Sequence, residues 1–521
     1  MNRPRNLILA VMFVILGAAF SAADIYIAPS AAGSANGASC SNAYAYTFFN
    51  TAGNWGSGAS QIGAGTTVHL CSGTYSLTGG NNNGLSFQGG GTSGNPVTLI
   101  ADQGAVTLTA ASWGNGSGPS IGVINTNGNS YLTINGDNQL TLQASANGTG
   151  LANQTDWGNG VVAYGGSGVT IENLTVSNIY VHTCTEPVSN CTDEGGQDTG
   201  GISAYGNEIL VQGTTVHDAK LCISGNYPAS ITYVNEQYLN NTTYNCDHGF
   251  ELGAGSTGST ITGMVVAGNN ISAFQNWDDN ANNNHHDGIH EFAYNSGDSV
   301  TGLQVYNNYI HGDFGNNFNA GIYVESTTQT TGAYYFNNLI VDQSSVEHLG
   351  CGLICLENNG ASIYNNTITQ PGVSGNTAIN NYGTGVYVEN NIIDTAFEAI
   401  AFSSGGTYAR VDYNDYYNIG GSGWNQNGSF SGWQSSCNCD SHSSTANPNL
   451  SANYVPTSNS TALIQKAANL TGLSIAALDL DKVGMIRPPQ PTSWSIGAFQ
   501  YNSSTAPAPP NPPTGLAAVV H

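Results

Sequence analysis

The sequence predicts an all-β solenoid, short parallel strands stacked coil upon coil with a capping segment at each end. Three observations carry this. One recurring phrase is a small residue followed by an apolar one and a short strand: "GGISAY" at 200, "HGFELG" at 248, "DGIHEF" at 287, "AGIYVE" at 320, "CGLICLE" at 351, "TAINNY" at 377 and "EAIAFS" at 398. A second phrase alternates with it, an asparagine-bearing strand: "IENLTV" at 171, "VYNNYI" at 305, "YFNNLI" at 335, "IYNNTI" at 363, "VENNII" at 388 and "DYNDYY" at 412. Each pair takes roughly 20 to 40 residues, the period of a stacked repeat. The strands are broken by Gly, Asn and Ser, and almost no segment has a helical period.

Residues 1–23 read as a secretory signal peptide. Arg3 and Arg5 precede an apolar run from Leu7 to Phe20, and Ser21 and Ala23 give a small-x-small cleavage site. The run has 14 residues, and a membrane span needs about 20, which disfavours a retained anchor. The expected location is therefore extracellular or at the cell surface. Residues 24–96 are expected to cap the solenoid, 97–420 to form its coils, and 421–501 to supply C-terminal coils and a closing segment. Residues 502–521, "NSSTAPAPPNPPTGLAAVVH", are expected to be a proline-rich linker and a disordered tail. Its end resembles the first strand of a fibronectin type III module.

Within the coils the repeated apolar position, Ile202, Phe250, Ile289, Ile322, Leu353 and Ile379, is expected to point inward. The aligned asparagines Asn307, Asn337, Asn365, Asn390 and Asn414 are expected to form a ladder at a sharp corner, where Asn tolerates left-handed backbone.

Without the leader, five cations (Lys220, Arg410, Lys466, Lys482 and Arg487) face 32 acids, a net charge of −27. That excludes nucleic acid and anionic membrane surfaces, which need clustered Lys and Arg. Ten cysteines in an exported chain can pair. Cys40 with Cys71, Cys184 with Cys191 and Cys222 with Cys246 are the expected bridges. Cys351 and Cys355, on one expected strand, would stand roughly 13 Å apart if extended, too far to bond.

With these repeats, "IYIAPSAAGSAN" at 25, "GAGTTVHLCSGTYS" at 63 and the ending "DLDKVGMIRPPQPTSWSIGAFQY" at 479, the chain resembles the secreted right-handed parallel β-helix proteins. That superfamily includes pectate lyases and polygalacturonases. The resemblance spans nearly all of 24–501 and implies the right-handed fold and a role with glycans; one fold hosts many reactions. The polygalacturonase pattern is incomplete. Asp278 and Asp279 sit in a loop, "DHG" at 247 matches only part of a Gly-His-Gly turn, and no basic triplet is present.

The densest polar stretch is "NNNHHDGIHEF" at 282–292. Aligning the repeats places Asp247 beside His286 and Glu251 beside His290 on neighbouring outward-facing rungs about 4.8 Å apart. Ser203 and Tyr323 fall in the second of these columns, and His248 and Asp287 stand at the strand entrance. Glycoside hydrolysis needs two carboxyl groups at such spacings. The candidates are Asp247, Glu251 and Asp287, with His286 and His290 to shuttle protons and Tyr205, Trp277, Tyr323 and His248 to hold substrate. A solvated or cross-rung hydrogen-bonded polar face is the bland alternative.

Ca²⁺ is the cofactor the acidic loops suggest, through Asp193, Glu194, Asp198, Asp278 and Asp279. His285, His286 and His290 could instead hold a transition metal or Zn²⁺. The leading expectation is a monomeric glycoside hydrolase acting on a neutral or weakly charged polysaccharide, because a chain at −27 repels a polyuronate unless cations bridge. A Ca²⁺-dependent lyase with Lys220 as base and a non-catalytic glycan-binding or adhesive β-helix are the alternatives.

Overall fold

A computed structural model describes residues 24–114, 120–147, 158–179, 200–226, 231–255, 257–275, 285–293, 295–316, 318–326, 329–345, 350–371 and 375–503. The expected signal peptide, the residues beyond 503 and the expected Cys184–Cys191 bridge lie outside them. The chain winds into a right-handed parallel β-helix, and every strand pairing along the main sheet is parallel. The face that matters here is built from Gly200–Asn207, Thr215–Asn226, Thr242–Ala254, His286–Ala293, Phe318–Glu325, Ile354–Leu356 and Thr377–Asn381.

Strand alternation puts one apolar residue per rung inside. Ile202, Ile223, Phe250, Ile289, Ile322, Ile354, Ile379 and Ile400 align in register and are buried. The column runs through Ile354 rather than Leu353. Leu353 is also buried, but the bend at Cys351 to Leu353 adds a residue before the strand begins, shifting the register by one.

The same bend reverses the expectation for Cys351 and Cys355. They are disulfide-bonded with Cα atoms 5.8 Å apart, because Cys351 precedes the strand and the segment between them is not extended. Cys40–Cys71 and Cys222–Cys246 pair as expected, and Cys437–Cys439 adds a bridge the spacing had not suggested.

The asparagine ladder exists, displaced by one position. Asn241, Asn269, Asn308, Asn338, Asn366 and Asn391 each pass a side-chain amide to the side-chain oxygen of the next, ending at Asn414, at 2.9 to 3.1 Å. Of the expected rungs only Asn414 belongs to it. In each Asn-Asn pair the first residue takes the left-handed corner, with φ of 57°, 55°, 53° and 64° at Asn307, Asn337, Asn365 and Asn390. That turn aims the second side chain inward.

Beyond Trp424 the described chain leaves the coils. The Phe430–Cys437 helix, capped by Ser429, packs Trp433 over the last rung. The chain then runs back along the corner asparagines. Asn337 donates to Leu480 O at 2.8 Å and Asn390 to Ala468 O at 3.0 Å, while Arg487 donates to Asn337 Oδ1 at 2.9 Å. Lys482 donates to the carbonyls of Asn307 and Asn308. No described helix is long and apolar enough to cross a membrane.

Candidate active site

The Thr242–Ala254 strand pairs with Asn270–Ser272 and again with His286–Ala293, so one continuous strand faces two on the next coil, and the polar face starts at the second of them. Just past it the register sets His248 opposite Asp287 and Glu251 opposite His290, with His290 opposite Tyr323 on the following rung. The column Ser203, Ser224, Glu251, His290, Tyr323 therefore runs as alternation requires.

Asp247 is buried between two imidazoles. His248 Nδ1 lies 3.0 Å from its Oδ2 and His286 Nδ1 2.6 Å from its Oδ1. Asp287 is fully buried; its Oδ1 accepts the Ala320 N–H at 2.9 Å. Its Oδ2 faces three imidazoles, His285 Nδ1 at 2.7 Å, His248 Nε2 at 3.4 Å and His290 Nδ1 at 3.9 Å. Tyr323 stacks on His290 with ring centroids 4.9 Å apart and stands edge-on to His285.

Charge follows from these contacts. Burial alone would raise Asp247, but the His248 charge and hydrogen bonds from His248 and His286 outweigh it, and the carboxyl sits well below the usual range. Burial likewise opposes the charge on Asp287, yet His285, His248 and His290 together hold it low. Carboxylates held this low have no proton to give a leaving oxygen. The acid's part therefore does not suit Asp247 or Asp287; both hold histidines. Burial lowers His248, but Asp247 and Asp287 reverse that and raise it. Burial keeps His290 below its ordinary value despite Glu325. Glu291 points the other way, beneath the site. Burial pushes it up to about 8, offset in part by the Thr330 hydroxyl.

Two further carboxyls border the cluster. Glu325 Oε2 lies 3.4 Å from His290 Nε2. Val324 pairs with Leu356, which sets Glu357 one rung beyond Glu325. Burial and the Glu325 charge raise Glu357. Both were visible in the sequence as the last letters of "AGIYVE" and "CGLICLE". Counting outward positions past Tyr323 finds Glu325, and its rung neighbour is Glu357.

The other expected residues fall elsewhere. Tyr205 stacks on Tyr164 and tilts against Tyr233, an aromatic group of its own on an earlier rung. Lys220 is buried, not solvated at a rung edge, at the position bracketed by Ala219 opposite Cys246 and Leu221 opposite His248. Trp277, Asp193, Glu194, Asp198, Asp278 and Asp279 lie outside the described residues.

These rungs belong to the parallel β-helix described above. No protein-family model and no curated protein matches the chain. Among solved structures it is similar to pectate lyase Pel9A, with 14% identity over 92% of this chain and 96% of that one and a TM-score of 0.46. XylC in complex with xylose aligns at 11% identity over 92% and 98%, TM-score 0.48. The DFA-IIIase of Arthrobacter chlorophenolicus A6 in complex with GF2 aligns at 11% over 72% and 89%, TM-score 0.43.

Proposed function

We propose that this chain is an exported carbohydrate-active enzyme, a glycoside hydrolase acting on a neutral or weakly charged polysaccharide, with Glu357 as acid and Glu325 as nucleophile. The carrying observation is that Glu325 and Glu357 occupy adjacent rungs beside the histidine cluster, with Glu357 raised by burial and by its neighbour. Adjacent rungs stand about 4.8 Å apart along the backbone, a spacing that lets side chains on them bring two carboxyls to the roughly 5 to 5.5 Å used by retaining enzymes. In this reading Glu357 protonates the leaving oxygen, Glu325 attacks the anomeric carbon, and Glu357 then activates water to release the sugar. Tyr323 offers a ring edge to the substrate.

The net charge of −27, five cations against 32 acids after the leader is removed, supports a neutral substrate. The test is product analysis on a panel of neutral and uronate polysaccharides. New reducing ends without unsaturated products support the reading, with Glu357→Gln lowering kcat by about 10²-fold or more. Unsaturated products would replace it with a lyase, and binding without turnover with a glycan-binding surface.

A further inference from the structure

We propose that His248 Nε2, Asp287 Oδ2 and His290 Nδ1 form a binding site for one divalent first-row transition metal ion of the Zn²⁺ class. The three residues are all buried, and one ligand atom from each can be chosen so that all lie within 4.8 Å of one another.

The spacing fits shared coordination better than hydrogen bonding. Asp287 Oδ2 stands 3.4 Å from His248 Nε2 and 3.9 Å from His290 Nδ1. Two ligands of one tetrahedral Zn²⁺ with bonds of about 2.0 to 2.1 Å stand roughly 3.3 Å apart, whereas a hydrogen bond closes to about 2.7 to 3.2 Å. Among the described residues, neither Asp287 Oδ2 nor His290 Nδ1 makes a well-aligned hydrogen bond, although both are buried.

Each ligand is also oriented from behind. Asp247 takes His248 Nδ1 at 3.0 Å and is itself held by His286 at 2.6 Å, which leaves His248 Nε2 facing the site. The His290 ring is set by Tyr323, which stacks on it with centroids 4.9 Å apart, with its Nδ1 3.9 Å from Asp287 Oδ2. The Ala320 N–H fixes Asp287 Oδ1, leaving Oδ2. Outer carboxylates on ligating histidines fix their tautomer and direction, and three protein ligands leave a fourth position for water or substrate. His285 Nδ1, 2.7 Å from Asp287 Oδ2, is too close to be a co-ligand. Imidazoles select this metal class over Ca²⁺, which takes oxygen ligands.

The site is independent of the hydrolase reading: a chain that binds the metal and turns over no glycan keeps one and loses the other. The test is calorimetric titration of the chelator-stripped mature protein with Zn²⁺, and separately with Mn²⁺ and Ca²⁺. One equivalent of Zn²⁺ is expected, weakened at least 100-fold by His248→Ala or His290→Ala, about 10- to 100-fold by Asp247→Asn, and unchanged by His442→Ala, since His442 lies against Asp412 near the C-terminal end of the coils. Because the core variants could fail to fold, Co²⁺ is added to the wild-type protein as well; a tetrahedral visible spectrum displaced by Zn²⁺ is expected. Absence of stoichiometric Zn²⁺ and Co²⁺ binding, or binding indifferent to both histidine variants, overturns the assignment. Preference for Ca²⁺ overturns it too.

Discussion

His286 Nδ1 reaches across one rung to within 2.6 Å of Asp247 Oδ1, with both side chains buried. An ion pair in such a place is costly to break from one side only, because the remaining charge stays buried without its partner. Asp247→Asn is therefore expected to lower the unfolding free energy by about 3 kcal/mol. A double-mutant cycle with His286→Ala should show a coupling of about 1 to 3 kcal/mol. Urea unfolding of the four proteins measures both, and additive losses would refute the pairing.

The two asparagines of one corner should respond oppositely. Asn308 donates to Val266 O and Asn338 Oδ1 and accepts from Asn269, so Asn308→Ala leaves several buried groups unpaired and should cost about 3 kcal/mol. Asn307 holds a φ of 57°, which glycine adopts freely, so Asn307→Gly should change stability by less than about 0.5 kcal/mol. Thermal unfolding of the pair distinguishes them.

Asp415 gives a pH signature away from the site. Burial pushes its carboxyl up to about 7, the Asp394 charge adds to this, and the Ser444 hydroxyl offsets part of it. The folded chain therefore keeps a proton that the unfolded chain has released, so stability falls as pH climbs from about 4 to about 7. Asp415→Asn should flatten this component, worth at most about 4 kcal/mol. Denaturant midpoints across that range check it; an unchanged slope counts against it.

The disulfides should rank by loop length. Cys222–Cys246 closes a separation of 24 residues and Cys351–Cys355 one of 4. Replacing the first pair by serines should cost about 3 kcal/mol and the second about 2 kcal/mol. Equal losses would point to strain or packing instead of chain entropy.

The coil pattern was legible because its core position repeats with strand parity. Asp247 beside His286 and Glu251 beside His290 followed from that parity and the rung spacing alone. Leu353 and the Cys351–Cys355 bridge were misplaced because a bend changes parity, and a bend leaves no periodic mark. The ladder slipped by one because two adjacent asparagines look alike in sequence, while only the first adopts the left-handed turn. Glu325 and Glu357 were missed because the site was sought where acids and histidines crowd together, and these two come from different repeats. The protonation of Asp247 and Asp287 could not be read at all, since it depends on imidazoles converging from neighbouring rungs.

The returning C-terminal segment changes how such a stack can come apart. A bare solenoid behaves as a row of nearest neighbours, free to fray from either end. Here Lys482 is fastened to the carbonyls of Asn307 and Asn308, Arg487 to Asn337 and Ala468 to Asn390. Residues 468–487 are thus stitched to rungs 78 to 175 positions earlier. One returning segment therefore ties several coils together, and the coils it spans should open as one block, with hydrogen exchange along rungs 304–424 rising together and not in order from the end.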